Sequence, residues 1–543
     1  MVKKMDRIVS VFWVTLLAAL LLFSPILFAG GKHMKHGKIK GLTDIYIHTY
    51  TGGADGGLAH VSYWGLPGGN PDYYNALPPE EQTKVAKINA NVIHAAAFQP
   101  TNAGIAGTEV TGLLKRDRRV QSITLRLPEM WNGSLLVAGT PGLRNEYANE
   151  ATLVPWLLEA GYAYIDGDKG IPGGAGDMVS GNHPTQYWGD MMIDLAELGQ
   201  DYLKKFYGER PAHIYAMGLS NGGYQTRRAL EIDHERALRG KKRLFDGGVD
   251  WSGAYWPDAR VMDADGNGKV SVEEYAAADT MIGAIDKGTL AMGWFHSADT
   301  LAIQDEYDKN PRCPAAYFPM VDAGFSPESA VYWGYYDSNF DPYHHYGGPY
   351  AIYYGVGYYN LVSYVYRADL RGDDAAAAAA YHCWGNPDAP DTPPPLYGWL
   401  ANAANGGWNK ESVKYALKNA NTGEFSAPLL SLHGQSDGLV ATNSMAMAYK
   451  DAVQLYGNPD LHRMYIIAHA GHVDLHADGG WGANSASPDV NIPDLLTPMQ
   501  AYAQKTFEYL VNWVEIGTEP PASKLVETDP AYDITDPSLL DWY

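Results

Sequence analysis

The segment AHIYAMGLSNGGYQTRRALEI, residues 212–232, most narrows what this chain can fold into. A largely apolar run ends in Gly218-Leu219-Ser220-Asn221-Gly222, and a helix-forming run follows with no linker. A strand that turns into a helix over so few residues crowds the turn. Gly218 and Gly222 lack a Cβ and let neighbouring backbone approach. With 59 glycines in the chain, a bare Gly-x-Ser-x-Gly is weak. The flanking strand and helix give it weight.

The rest of the chain supplies a sheet for this unit. TDIYIHTYTG, RVQSITLRLP, GSLLVAG, YAYIDGD, DGGVDWSG, PLLSLH and MYIIA read as strands, rich in β-branched and apolar residues between Gly and Pro. EATLVPWLLEAG and TPMQAYAQKTFEYLVNWVEIG read as helices. In DMMIDLAELGQDYLKKFYG, the residues Met192, Leu195, Leu198, Tyr202 and Phe206 share one helical face. Strands alternating with helices predict an α/β fold, with a mostly parallel sheet covered on both faces.

A serine hydroxyl is a weak nucleophile at neutral pH and needs a base held by an acid. On this architecture the order along the chain is Ser, Asp, His. LLSLHGQSDGLV places Asp437 in the loop after a strand, and MYIIAHAGHVDLH places three histidines after the next. His472 is preferred as the base because Ala470-Gly471 carry the chain off the strand before it, with His469 and His476 as rivals. Asp250 and Asp474 are the rivals of Asp437. Donors for a developing oxyanion are expected from the Asn221 N–H and, in the LLVAGTPG loop, the Thr140 N–H.

Together these residues resemble the α/β-hydrolase superfamily. Within it, LPEMWNG at 127–133, FYGERPAHIYAMGLSNGG and LFDGGVDWSG are similar to stretches of the tannase and feruloyl esterase family. The resemblance covers roughly residues 125–255 and 425–475, and implies an exported carboxylic-ester hydrolase with a lid over its site. Leu219 and Val473 stand where that family carries cysteines bridged beneath the triad. Hydrolases of hydroxyalkanoate oligomers, with a Ser-Asn-Gly-Gly elbow, are a neighbouring resemblance.

The alternation stops between about residues 256 and 420, read as an inserted lid domain between a first core part (44–255) and a second (421–519). The insert opens with DADGNGKVSVEE. Asp263, Asp265, Asn267, the Lys269 carbonyl, Ser271 and Glu274 stand at the ligand positions of an EF-hand-like loop, and Gly268 allows its turn. Ca²⁺ takes six to eight such oxygens, so a structural calcium ion is expected, with no organic cofactor. The chain's two cysteines, Cys313 and Cys383, also lie here and are expected to pair if the protein is exported. Twelve tyrosines between Tyr332 and Tyr366 read either as packing within the lid or as a substrate wall.

Lys3, Lys4 and Arg7 precede an apolar run from Ile8 to Ala29. Residues 1–29 therefore read as a signal peptide or an N-terminal anchor, residues 30–43 as a linker and residues 520–543 as a surface tail. Membrane contact is expected only if the N-terminal segment stays uncleaved. A net charge of −22 disfavours nucleic acid and anionic membrane as partners. The function expected is ester hydrolysis on a small or oligomeric substrate. A peptidase or amidase using the same triad is the alternative, and a calcium-dependent binding protein on a non-catalytic hydrolase fold is the third reading.

Overall fold

The computed structural model describes residues 39–52, 104–142, 144–171, 184–256, 420–435, 442–472, 497–529 and 536–540, with isolated positions including Asp437 and Asp474. The signal segment, the tyrosine-rich stretch, both cysteines and the calcium loop apart from Gly266 and Asn267 lie outside the described residues, as does His476. The chain divides into residues 1–40 and 41–543, and all elements below belong to the second unit.

Ten strands form one sheet: β1 Leu42–Tyr50, β2 Gly107–Arg116, β3 Arg119–Pro128, β4 Ser134–Gly139, β5 Ala163–Gly167, β6 His213–Leu219, β7 Gly247–Trp251, β8 Leu429–Gly434, β9 His462–Ile467 and β10 Lys524–Val526. Their spatial order is β1-β2-β3-β5-β4-β6-β7-β8-β9-β10. The pairs β1–β2, β2–β3 and β3–β5 are antiparallel, and every pairing from β5 to β10 is parallel. From β2 to β9, one exchange of neighbours (β5 before β4) interrupts sequential order. This is the strand order of the α/β-hydrolase fold. The C-terminal ends of parallel strands around such a switch are where open α/β sheets place their sites.

Five helices are described: α1 Val154–Glu159, α2 Trp188–Phe206, α3 Asn221–Leu238, α4 Ala448–Tyr456 and α5 Gln500–Ile516. Successive residues of a strand face opposite sides of a sheet. A Cβ on Gly247 would meet Leu510 of α5, whereas one on Gly248 would meet Thr226 and Leu230 of α3. Helices therefore cover both faces. The predicted apolar face of α2 is buried at Met192, Leu195, Leu198 and Tyr202, while Phe206 at its end is half-buried. One core joins Leu136, Met217, Val249, Leu430 and Ile467 of the sheet to Tyr502, Phe507 and Leu510 of α5.

Two features depart from the sequence-based expectation. β2 has a register complete against β3 from Gly107 to Arg116, although Gly112, Lys115 and Arg116 hide its pattern. The C-terminal tail does not simply overlie the surface. Its Lys524–Val526 strand extends the parallel sheet beside β9, and Trp542 is buried, stacked on Tyr502 with ring centroids 5.6 Å apart. A tryptophan buries a large apolar area, and that anchors the tail despite its Pro and Asp content.

Candidate active site

Ser220 joins β6 to α3 at φ 62° and ψ −122°, a region that non-glycine residues rarely occupy. The turn is held at both ends: the Ser220 N–H donates to the Trp251 carbonyl (2.8 Å), and the Ser220 carbonyl accepts from the Tyr224 N–H (3.0 Å). A Cβ on Gly222 would lie 2.2 Å from the Gly139 carbonyl oxygen. One on Gly218 would lie 2.4 Å from the Gly222 backbone. Both distances are far below contact, so the glycines of the elbow are required by close backbone approach to each other and to the end of β4. Leu219 is fully buried in the core and is the apolar counterpart of the cysteine the resemblance would place there.

Asp437 follows β8 and His472 follows β9, both buried. The structure brings them together: His472 Nδ1 lies 2.7 Å from Asp437 Oδ2. An ionised carboxylate only accepts, so Nδ1 carries the hydrogen and Nε2 remains a base. Asp437 Oδ1 accepts the Val440 N–H at 2.7 Å. Burial would raise the Asp437 carboxyl, but the electrostatic attraction and hydrogen bond of His472, together with His433 and the Val440 N–H, outweigh it and hold it below the ordinary range. The loops of β8 and β9 touch closely, since a Cβ on Gly434 would meet the Ala470 and Gly471 carbonyls.

The rivals have other partners. Asp250 accepts from Arg227 Nε (2.7 Å), from the Gly253 N–H (2.9 Å) and from Ser431. Asp474 accepts the Met499 and Gln500 N–H groups at the start of α5 (2.6 and 2.8 Å). His469 sits at φ 55°, and its buried Nδ1 has no hydrogen-bond partner among the described residues. Ser431, His462 and Asp250 form a second Ser/His/Asp group. Ser431 Oγ contacts both Asp250 Oδ2 and His462 Nε2, but all three are buried on β7, β8 and β9 within the sheet. Burial holds His462 neutral, pushed down to about 3, so this group reads as a packed polar network.

Asn221 is the first residue of α3, where backbone N–H groups have no partner within the helix. Thr140 differs from expectation. Its N–H donates to Gln225 Oε1 at 2.9 Å, an engagement at odds with a second oxyanion donor. Its hydroxyl donates to Asp166 Oδ1 (2.6 Å) and contacts the Gly167 carbonyl. Asn149 ties this corner to β4 and β5 by donating to the Gly139 carbonyl (3.0 Å) and to Asp166 Oδ2 (2.7 Å).

Two groups near the site were missed from sequence. His433, at the end of β8, donates from Nε2 to the Val440 carbonyl (2.9 Å), with the same nitrogen 3.5 Å from Asp437 Oδ2. Burial, opposed by Asp437, lowers its pKa and keeps it neutral. Lys169 follows β5 and is 1 % exposed, and a lysine is almost never so buried without partners for its amine. The signal was present as Asp-Gly-Asp-Lys-Gly, a charged run directly after a fully apolar strand start.

No protein-family model matches the sequence, and no curated protein matches it. Among solved structures the chain is similar to feruloyl esterase B from Aspergillus oryzae, with a TM-score of 0.43 and 15% identity over 79% of this chain and 85% of that one. It is also similar to a tannin acyl hydrolase from Aspergillus niger (TM-score 0.39, 15% identity, 79% and 82% covered). A third is the rice cell wall degrading esterase LipA from Xanthomonas oryzae (0.34, 13% identity, 68% and 85% covered). The fold assignment rests on the strand order and not on these likenesses.

Proposed function

We propose that this chain is a carboxylic-ester hydrolase that works through an acyl-enzyme. The observation that carries the reading is the buried Asp437–His472 pair, 2.7 Å apart, at the same end of the sheet as the strained Ser220 elbow. Ser220 Oγ attacks the ester carbonyl, and His472 Nε2 takes its proton and returns it to the leaving alcohol. Asp437 keeps the imidazole in the tautomer this needs and stabilises the imidazolium. Water then hydrolyses the acyl-enzyme with His472 again as base. The Asn221 N–H is one oxyanion donor. For the second, the Gly142 N–H fits better than that of Thr140, because it is not engaged by Gln225 and Gly142 is tethered to Asn221 (Asn221 Nδ2 to the Gly142 carbonyl, 3.3 Å).

The substrates proposed are bulky or aromatic esters, or polyester oligomers, on the strength of the LPEMWNG and elbow stretches and the tyrosine-rich insert. Export, a Cys313–Cys383 bridge and a calcium ion in the 263–274 loop belong to the same proposal. A fluorophosphonate probe should give one adduct per chain, at Ser220. Nitrophenyl esters should turn over far faster than matched nitroanilides. An unlabelled protein, or one that prefers anilides, would overturn the reading.

Calcium is proposed to hold the insert together and not to enter the chemistry. Excess chelator should lower the melting temperature while kcat/KM at permissive temperature stays within about twofold, since a ligand bound only to the folded state stabilises it. A melting temperature indifferent to both chelator and added Ca²⁺ would remove calcium from the description.

A further inference from the structure

Lys169 Nζ donates to three successive backbone carbonyls: Thr140 (2.7 Å), Pro141 (3.3 Å) and Gly142 (2.5 Å). An ammonium has three hydrogens, so this one segment uses its full capacity. The segment is the loop that leaves β4 beside the elbow. We propose that Lys169 is a positioning residue, which pins the 140–142 loop by its carbonyls and so aims that loop's N–H groups at the oxyanion beside Ser220. The proposal rests on the esterase reading above.

The geometry follows from the peptide unit. No described peptide bond is cis. In a trans peptide the C=O and the following N–H point in opposite directions. With the Pro141 carbonyl turned to Lys169, the Gly142 N–H is turned away from it. Pro141 has no N–H, and the Thr140 N–H goes to Gln225. Gly142, at φ 51°, is therefore the residue whose donor the lysine sets. The Asn221 amide holds the same Gly142 carbonyl from the elbow side, so the loop is clamped between α3 and Lys169.

A buried ammonium persists only where charges and carbonyls repay its lost hydration. Burial pushes Lys169 down to about 7, against Asp166 and Asp168 of the β5 end, which raise it, while Arg144 of the β4 loop lowers it further. The Trp188 ring of α2 lies 4.8 Å from Nζ and favours the cation. Burial also pushes Asp166 up to about 6 and Asp168 up to about 7.

The test compares wild type with Lys169→Met, each normalised to the fraction of Ser220 labelled by a fluorophosphonate. The expected result is kcat lower by about a hundredfold, the cost of a roughly 1 Å misplacement at a site, with KM within about twofold. Amide exchange at Thr140 and Gly142 should be faster by at least tenfold. A merely structural role would lower the melting temperature and the labelled fraction but leave kcat per labelled site unchanged, and that outcome overturns the proposal. Unaltered exchange at Thr140 and Gly142 overturns it as well, whatever the activity. If the methionine variant does not fold, Lys169→Gln replaces it under the same readouts: kcat per labelled site lower by at least tenfold supports the proposal, and unchanged kcat per labelled site overturns it. Failure of the esterase reading looks different, since it shows in wild type itself, as an absence of labelling or as a preference for anilides over esters.

Discussion

Replacing Ser220 with alanine is expected to reduce ester turnover by about a millionfold, the scale of losing the nucleophile in a serine hydrolase. Folding should survive. Ser220 is buried to 8 % exposure, and alanine differs from it by one oxygen. Its φ of 62° is no worse for alanine than for serine. That angle makes a sharper version of the experiment possible. Non-glycine residues held in such a region cost about 1–3 kcal/mol, and glycine relieves most of it. Ser220→Gly should therefore be equally inactive and yet melt higher than Ser220→Ala. A structural serine would show the reverse pattern in activity, with both variants close to wild type. Ester turnover by Ser220→Ala within tenfold of wild type would end the assignment of the nucleophile.

The elbow was legible in the sequence because it is local. Strand end, glycines, serine and helix start all lie within residues 212–232, and the crowding at Gly218 comes from the turn itself, although that at Gly222 comes from the end of β4. The preference for His472 over His469 was also local, argued from Ala470-Gly471. The structure pairs His472 with Asp437 and, among the described residues, shows no partner for His469 Nδ1. What stayed hidden was non-local. The Thr140 N–H meets Gln225, 85 residues away in the chain, and Lys169 meets carbonyls 27 to 29 residues before it. No periodicity encodes such pairings. β2 was missed because its glycine and basic end obscure alternation, and β10 because three residues are too few to show a period. The buried Arg126, between Glu109 (3.3 Å) and Glu150, was equally invisible. An arginine in a strand reads as exposed until its partners are known.

Asp437→Asn is expected to lower kcat by about ten-thousandfold while leaving the fold in place, the effect of forcing the wrong histidine tautomer in a triad. The surroundings of Asp437 decide how the new amide sits. Oδ1 accepts the Val440 N–H, and Oδ2 accepts from His472 Nδ1. An asparagine must keep its oxygen toward Val440, because the reverse would set an NH₂ against an N–H. Its NH₂ then faces His472 Nδ1, and the lone pair there has to accept. The ring hydrogen moves to Nε2, the nitrogen that must receive the Ser220 proton. Nitrogen NMR of the labelled histidine should show this shift from Nδ1–H to Nε2–H. The acid flank of stability should change too. Because the folded Asp437 carboxyl is held below its unfolded value, its contribution is full above the unfolded value near about 4. It is lost as pH falls through the folded value. Asparagine removes that titration, so the variant should lose less stability than wild type between neutral pH and strong acid. A variant that keeps kcat within tenfold, with His472 still carrying its hydrogen on Nδ1, would mean that another group orients the base.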